Sequence, residues 1–483
     1  MEETLARLKP VALWQYFQEI CRIPRPSKKE EKIARYLMDF AGKKGLNARQ
    51  DSAGNVLIRK PASPGREKDK AVILQCHIDM VCEKNAATVH DFDKDPILPY
   101  ADDGWVKAKG TTLGADDGIG IAAALAILDS KDISHGPLEC LFTVDEETGL
   151  TGAFGLKAGF LEGSVLLNLD SEDEGQIFIG CAGGMDTVAT FEASAEKVPS
   201  GSVAYRVGIT GLKGGHSGDD INKGLGNAVK ILGRFLWNAS RKFDLKVATL
   251  SAGNLRNAIA REGFSEVIIP ASKKKEFEAY VKEYHQVLTE ELHVTEPGLQ
   301  FNAEPTDKPT AIMSGDLQNR VLNSLYACPH GVIEYSREIQ GFVETSTNLA
   351  SVRSDEKQVL VTTSQRSSVE SSKRDVADMV ESVFLLGGAR VEHSTGYPGW
   401  RPDPGSQVLK ATVESYRKLF GEDPKVLAIH AGLECGLIGA IYPGMDMVSF
   451  GPTIKGAHSP DERLDIRSTE KFWELLVEVL KRI

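Results

Sequence analysis

Short apolar runs along this chain alternate with stretches in which apolar side chains recur every three or four residues. Residues 11–22 and 29–44 show that helical spacing, with Ile33, Tyr36, Leu37 and Phe40 on one stripe. Compact apolar runs follow: AVILQ at 71–75, LECLFTV at 138–144, VLLNL at 165–169 and MDMVSF at 445–450. Runs of this length between helical stretches read as parallel strands buried on both faces. Residues 118–128 read as a helix of small residues. The pattern predicts an α/β core, a doubly wound, mixed sheet.

The middle of the chain differs. VAYRVGIT at 203–210 alternates as a half-exposed strand does, and residues 222–237 and 272–292 read as amphipathic helices. QVLVTT at 358–363 followed by a helical pattern over 371–387 repeats the strand-then-helix order. These segments predict an α+β domain inserted into the first. The expected division is 1–185 with 400–483 for the core domain and 186–399 for the insertion. Gly183–Gly184 and the Pro/Gly-rich stretch 396–405 stand as the joints.

Four strand-end segments carry the chemistry. His77 and Asp79 follow AVILQ, Glu146 and Glu147 follow LECLFTV, Asp170 follows VLLNL, and His458 comes a short loop after MVSF. Asp116 and Asp117 lie in LGADDG, just ahead of the small-residue helix. In open α/β sheets, ligands bind beyond the carboxyl ends of the strands, so these groups are placed along one edge. Taken singly, each has a plain reading: a histidine satisfied in a loop, a solvated Glu-Glu turn, an aspartate capping a helix. Taken together they are a set of carboxylates that repel one another unless cations neutralise them. Imidazole with carboxylate suits zinc, and also manganese or cobalt. Asp116 could bridge two ions, which in such sites lie about 3.5–4 Å apart.

Composition narrows the function. Lys+Arg is 57 and Asp+Glu is 68, a net charge of −11, which argues against nucleic-acid partners and an anionic membrane surface. The longest apolar run, near 119–128, is too short for a bilayer span, which needs about 20 residues. The N-terminus lacks the pattern of a signal peptide, and the seven cysteines show no CxxC and no disulfide framework, so a cytoplasmic, reducing setting is expected. Gly118–Ala123 fits GxGxxA, with Glu139 about 20 residues on, but the segment before it is no apolar strand, so close packing of small residues is the better reading than a dinucleotide site. Ser217 and Ser459 lack the elbow context of a serine nucleophile.

The segments HxD, LGADDG, DEETG, NLDSEDEG, GGHSG and HSPDE resemble the co-catalytic zinc aminopeptidase/carboxypeptidase superfamily. TVHDFDKDPI, KAKGTTLGADDG, GCAGGMD, LKGGHSG, NLRNAIARE, HAGLECG and GPTIKGAHSPDE extend the resemblance over essentially the whole chain to the aminoacyl-histidine dipeptidases, the bacterial carnosinase-type family. That resemblance implies hydrolysis of dipeptides, Xaa-His above all, with two zinc ions per subunit. It implies that His77, Asp116 and Asp170 hold one zinc and that Asp116, Glu147 and His458 hold the other. Glu146 would be the general base and then acid, and Asp79 the carboxylate that orients His77. On the insertion, His216 would stabilise the oxyanion, and Asn257 and Arg366 would bind substrate, Arg366 at its C-terminal carboxylate. The insertion would act as a lid and as the contact surface of a homodimer. An aminoacylase, a tripeptide aminopeptidase and a non-catalytic metal-dependent binding protein are the alternatives on the same scaffold. Two positions depart from the pattern: Asp117 where Asn is expected, placing a further negative charge beside the bridge, and Ala260 where Pro is expected.

Overall fold

The computed structural model describes residues 5–483. The chain forms two compact units. One comprises the chain up to Gly180, Trp400–Ala428 and Leu433–Ile483; the other comprises Cys181–Gly399 and the four residues Ile429–Gly432.

The first unit is built on an eight-stranded mixed sheet. Its order is 47–50, 56–60, 138–143, 72–77, 165–168, 446–449, 176–181 and 425–429. Val72–His77 runs parallel to both Leu138–Thr143 and Val165–Asn168, and Val165–Asn168 runs parallel to Asp446–Ser449. Antiparallel strands flank this centre: Val56–Lys60 pairs with Leu138–Thr143, and Gln176–Cys181 with Asp446–Ser449. Every residue of Val72–His77 and of Leu138–Thr143 is buried, as befits strands covered on both faces. Because the four central strands point the same way, their carboxyl ends, at His77, Thr143, Asn168 and Ser449, line one edge of the sheet.

The helix Ala115–Asp129 packs against that sheet and against the helix Val11–Cys21. Its residues from Asp117 through Leu128 are all buried, and its alanines and glycines allow the close approach. Gly118 and Gly120 lie inside this helix rather than in a turn after a strand, so the GxGxxA match is a packing pattern. Six of the seven cysteines are buried, and none is joined in a disulfide.

The second unit is an antiparallel sheet of nine strands. Eight run in the order 300–306, 202–210, 263–270, 246–252, 343–354, 358–367, 183–192 and 390–393, and Gly331–Tyr335 adds to Val343–Ser354. Helices Ala228–Phe243, Lys274–Leu292, Gly315–Ala327 and Glu370–Leu386 contribute to its core with Phe191, Phe235, Phe277, Tyr284, Phe301 and Phe384.

The structure departs from the sequence pattern at two places. The helix read over 222–237 runs from Ala228 to Phe243, because the Asn227 side chain accepts the Val229 and Lys230 N–H groups and fixes its start. Gly183–Gly184 is no joint. Both residues lie in the strand Gly183–Glu192, paired with Ser367 and Arg366, so this unit begins at Cys181 rather than at 186. They are glycines for space: a Cβ on Gly183 would lie 2.4 Å from the Gly399 nitrogen, and one on Gly184 would lie 2.7 Å from the Tyr397 ring.

Candidate active site

The strand-end residues of the first unit converge. His77, the last residue of its strand and 1% exposed, turns Nδ1 to Asp79 Oδ1 at 3.2 Å. Its Nε2 faces Asp116 Oδ1 at 3.0 Å and Asp170 Oδ1 at 3.3 Å. His458 Nε2 faces the other oxygen of Asp116 at 3.1 Å and Glu147 Oε2 at 3.0 Å. Asp116 thus presents one oxygen to each imidazole. Two groups of possible metal ligands share it, His77–Asp116–Asp170 and Asp116–Glu147–His458, each with its ligand atoms within 4.8 Å of one another.

Asp79 sits beneath. It accepts Ser27 Oγ at 2.8 Å and the backbone N–H groups of Glu146 and Glu147 at 3.1 and 3.2 Å. It therefore links the His77 ring to the start of the turn that carries both glutamates. Burial would raise its proton affinity, but His77, Ser27 and the Glu146 N–H outweigh that and hold Asp79 at about 2.

The electrostatics are those of crowded acids around two bases. Burial would also raise Asp116, yet the hydrogen bonds to His458 and His77 hold it well below the usual carboxylate range. Burial pushes Asp170 up to about 6 against the opposing charge of His77, and drives Glu146 well above its ordinary value against the same charge. Hydrogen bonds to Asp116 and Glu147 push His458 up to about 11. Burial alone would lower His77, but Asp170, Asp116 and Asp79 hold it well above normal. Glu147 Oε1 is buried with no hydrogen-bond partner. An orphaned carboxylate oxygen in such a cluster is costly unless a cation meets it. Two imidazoles and three carboxylates, one of them shared, are a donor set that fits divalent metal.

Burial, reinforced by the nearby Asp170, pushes Asp117 well above the carboxylate range. This opposes the extra negative charge that LGADDG suggests on paper. Below the cluster runs a buried polar row that the sequence did not reveal. Gln75 Nε2 and Thr143 Oγ1 each donate to Glu434 Oε2 at 2.6 Å, Asn168 Nδ2 donates to Gln75 Oε1 at 2.6 Å, and Ser449 Oγ donates to Asn168. Burial pushes Glu434 up to about 7. Its signal was an acid placed between HAGL and CG, with no partner nearby in sequence.

The remaining residues of interest belong to the second unit. His216 turns Nδ1 toward the N–H groups of Gly218 and Asp219, at 3.3 and 3.2 Å. Arg366, 7% exposed, donates Nε–H to Ser217 Oγ at 3.3 Å and Nη1–H to Tyr397 OH at 2.9 Å. Its hydrogen-bond partners are thus two neutral hydroxyls, and, after the hydrogen bond from His216, its charge helps hold the Asp219 carboxyl below the usual range. The Asn257 carbonyl accepts the Ser217 N–H at 2.8 Å, and Asn257 itself is exposed. Ser217 therefore gathers His216, Asn257 and Arg366 into one neighbourhood. Ser217 is itself 1% exposed and accepts from Arg366, while Ser459 Oγ donates to the Gly456 carbonyl at 2.7 Å; neither is set up as a nucleophile.

The α/β sheet with acidic and imidazole ligands at its strand ends has a match among known proteins. The model of the peptidase family M20/M25/M40 fits residues 73–482, and the chain belongs to that family of peptidases. It is 46% identical over 479 residues to the cytosol non-specific dipeptidase of Escherichia coli, covering 99% of both chains. It superposes with a TM-score of 0.95 on the aminoacylhistidine dipeptidase of Vibrio alginolyticus, at 46% identity, covering 100% of this chain and 98% of that one. An aminopeptidase of Bacillus cereus, 18% identical, shares the fold with a TM-score of 0.61 over 98% of this chain and 99% of that one. No helix among the described residues is long and apolar enough to cross a membrane.

Proposed function

We propose that this protein is a metal-dependent dipeptidase that accepts a range of dipeptides, Xaa-His among them. One observation carries the reading: Asp116 offers one oxygen to each of two His-carboxylate clusters. His77, Asp116 and Asp170 would hold one divalent ion, and Asp116, Glu147 and His458 the second. Zinc is the native metal on this reading, and manganese or cobalt would fit the same donors. When bound, such ions lower the pKa of a water and polarise the scissile carbonyl.

The protein's own groups do the rest. Glu146, beside a ligand but outside both clusters, takes the proton of the attacking water and returns it to the leaving amine. The same carboxylate can serve twice because the reaction needs a base first and an acid later. Asp79 fixes the ring of His77. His216 stabilises the oxyanion, Asn257 contacts substrate, and Arg366 binds the C-terminal carboxylate. A buried guanidinium whose hydrogen-bond partners are hydroxyls keeps its fork available for an anionic ligand. The second unit would serve as lid and dimer contact, a role that rests on the family resemblance, and the cytoplasm is the setting suggested by the cytosolic relative.

The breadth of substrate follows the relatives, one named for aminoacylhistidine and one for non-specific dipeptides. The test is a panel assayed with the zinc-loaded protein: Xaa-His and non-His dipeptides, their C-terminal amides, a tripeptide and N-acetyl amino acids. Free dipeptides of both kinds are cleaved, and the amides lose at least about tenfold in kcat/KM through loss of the Arg366 pairing. Preference for the tripeptide or the N-acetyl amino acids would replace the dipeptidase reading with a tripeptide aminopeptidase or an aminoacylase.

A further inference from the structure

The loop that carries Asp116 is gripped from two sides by buried ions that touch neither imidazole. Glu462, 3% exposed, accepts four successive backbone N–H groups. Its Oε2 takes those of Leu113 and Gly114 at 2.7 and 3.0 Å, and its Oε1 those of Ala115 and Asp116 at 2.7 and 3.4 Å. Arg25, 2% exposed, takes carbonyls. Nη1 donates to Ile78 and Asp79 at 3.2 and 2.5 Å, and Nη2 donates to Gly114 at 2.5 Å. The Arg25 carbonyl in turn accepts the Met80 N–H at 3.1 Å.

The peptide at Gly114 therefore hangs between an anion on its N–H side and a cation on its carbonyl side. Glycine is needed there. Its φ is +69°, and a Cβ would lie 2.7 Å from Arg25 Nη2 and 2.8 Å from Met80 Sδ. At Gly118 the backbone is ordinary, but a Cβ would lie 2.7 Å from Arg25 Nη2 and press on the same guanidinium. Convergent N–H groups around one carboxylate make a stiff joint, because charge-assisted hydrogen bonds are strong in a dry setting.

The two ions tie together the loops that bear the cluster. Arg25 joins the Ile78–Asp79 segment, next to His77, to the Asp116 loop. Glu462 joins the Asp116 loop to the segment that begins at His458, where the Glu462 N–H returns to the Ser459 carbonyl at 3.0 Å. His458 is held at φ +61°, a left-handed conformation that a non-glycine residue keeps only when its surroundings impose it. We infer that Arg25 and Glu462 are positioning residues whose paired grip on the Asp116 loop sets the separations among His77, Asp116 and His458 and so the affinity for metal.

This inference rests on the metal-centre reading, and its test separates the two. Zinc affinity is measured by chelator competition for the wild-type protein, Glu462→Gln, Arg25→Lys and a control, Glu139→Gln, with the melting temperature of each. Glu139 is likewise a buried carboxylate that accepts two backbone N–H groups, those of Glu162 and Gly163 at 2.8 Å, but at the far end of its strand. Gln at 462 keeps the size yet turns an NH2 group toward N–H donors, and Lys at 25 keeps the charge but loses the fork. Glu462→Gln and Arg25→Lys raise the zinc Kd roughly 10–100-fold, and KM at saturating zinc stays within about twofold of wild type. Glu139→Gln lowers the melting temperature and leaves the zinc Kd unchanged. A fall in melting temperature for Glu462→Gln with an unchanged zinc Kd would overturn the inference and leave a structural carboxylate. Should Glu462→Gln fail to fold, Arg25→Lys decides by the same criterion. A wild-type protein that binds no zinc refutes the metal-centre reading instead.

Discussion

Substituting Gln for Glu146 is expected to leave a folded, fully metalled protein that turns over dipeptides roughly 10²–10⁴-fold more slowly. The reason is positional. Glu146 follows directly on the buried strand Leu138–Thr143 and its short exit, and its N–H is tied to Asp79 at 3.1 Å, so its place does not depend on its own carboxylate. Glu147, one residue on, faces His458 and belongs to a ligand cluster, whereas Glu146 belongs to neither group built on Asp116. An amide at 146 keeps the shape but can neither take up the proton of water nor return it to the leaving amine, so kcat falls while KM and zinc content hold. Metal analysis beside steady-state kinetics reads both. Wild-type turnover in Glu146→Gln would end the base assignment, and loss of zinc would move Glu146 into the metal shell.

The second large effect is expected at Asp116. With one oxygen toward each imidazole, at 3.0 and 3.1 Å, it is the single side chain common to both clusters. Asn at this position offers one oxygen and one NH2, so it serves at most one cluster and presents a donor to the other. Asp116→Asn should therefore lose both activity and most bound metal, whereas Asp170→Asn, confined to one cluster, should weaken mainly one ion. Counting zinc per chain in the two variants distinguishes them. An Asp116→Asn protein retaining two tightly bound ions would show that the aspartate is not shared.

The strand-end positions were legible because buried parallel strands read as short apolar runs, and the next polar residue must emerge at one edge. That rule places His77, Glu146, Glu147 and Asp170 without any knowledge of contacts. His458 and Asp116 are harder: both lie on loops, and their meeting depends on packing far apart in sequence. Their motifs identified them; periodicity did not. The helix at 228–243 was misread because Asn227, not the apolar stripe, decides where it starts. Gly183–Gly184 was misread because a glycine pair in a crowded strand looks the same in sequence as one in a hinge. Glu434 and Glu462 stand inside HAGLECG and HSPDE, and Arg25 outside every motif, yet nothing in the sequence showed what any of the three would hold. Arg25 and Glu462 hold backbone groups, which every residue possesses, and Glu434 meets side chains nearly 300 residues or more away. Polar residues that organise a site through the main chain have no sequence partner to reveal them.

The central claim is that two metal ions sharing Asp116 make this protein a dipeptidase. It is tested most directly by stripping the purified protein with chelator, confirming the loss of metal, and titrating zinc back while following hydrolysis of an Xaa-His and a non-His dipeptide. The stripped protein is expected to show no turnover, with recovery that saturates near two zinc ions per chain. Full turnover in the metal-free protein, or no cleavage of either dipeptide after reloading, would contradict it.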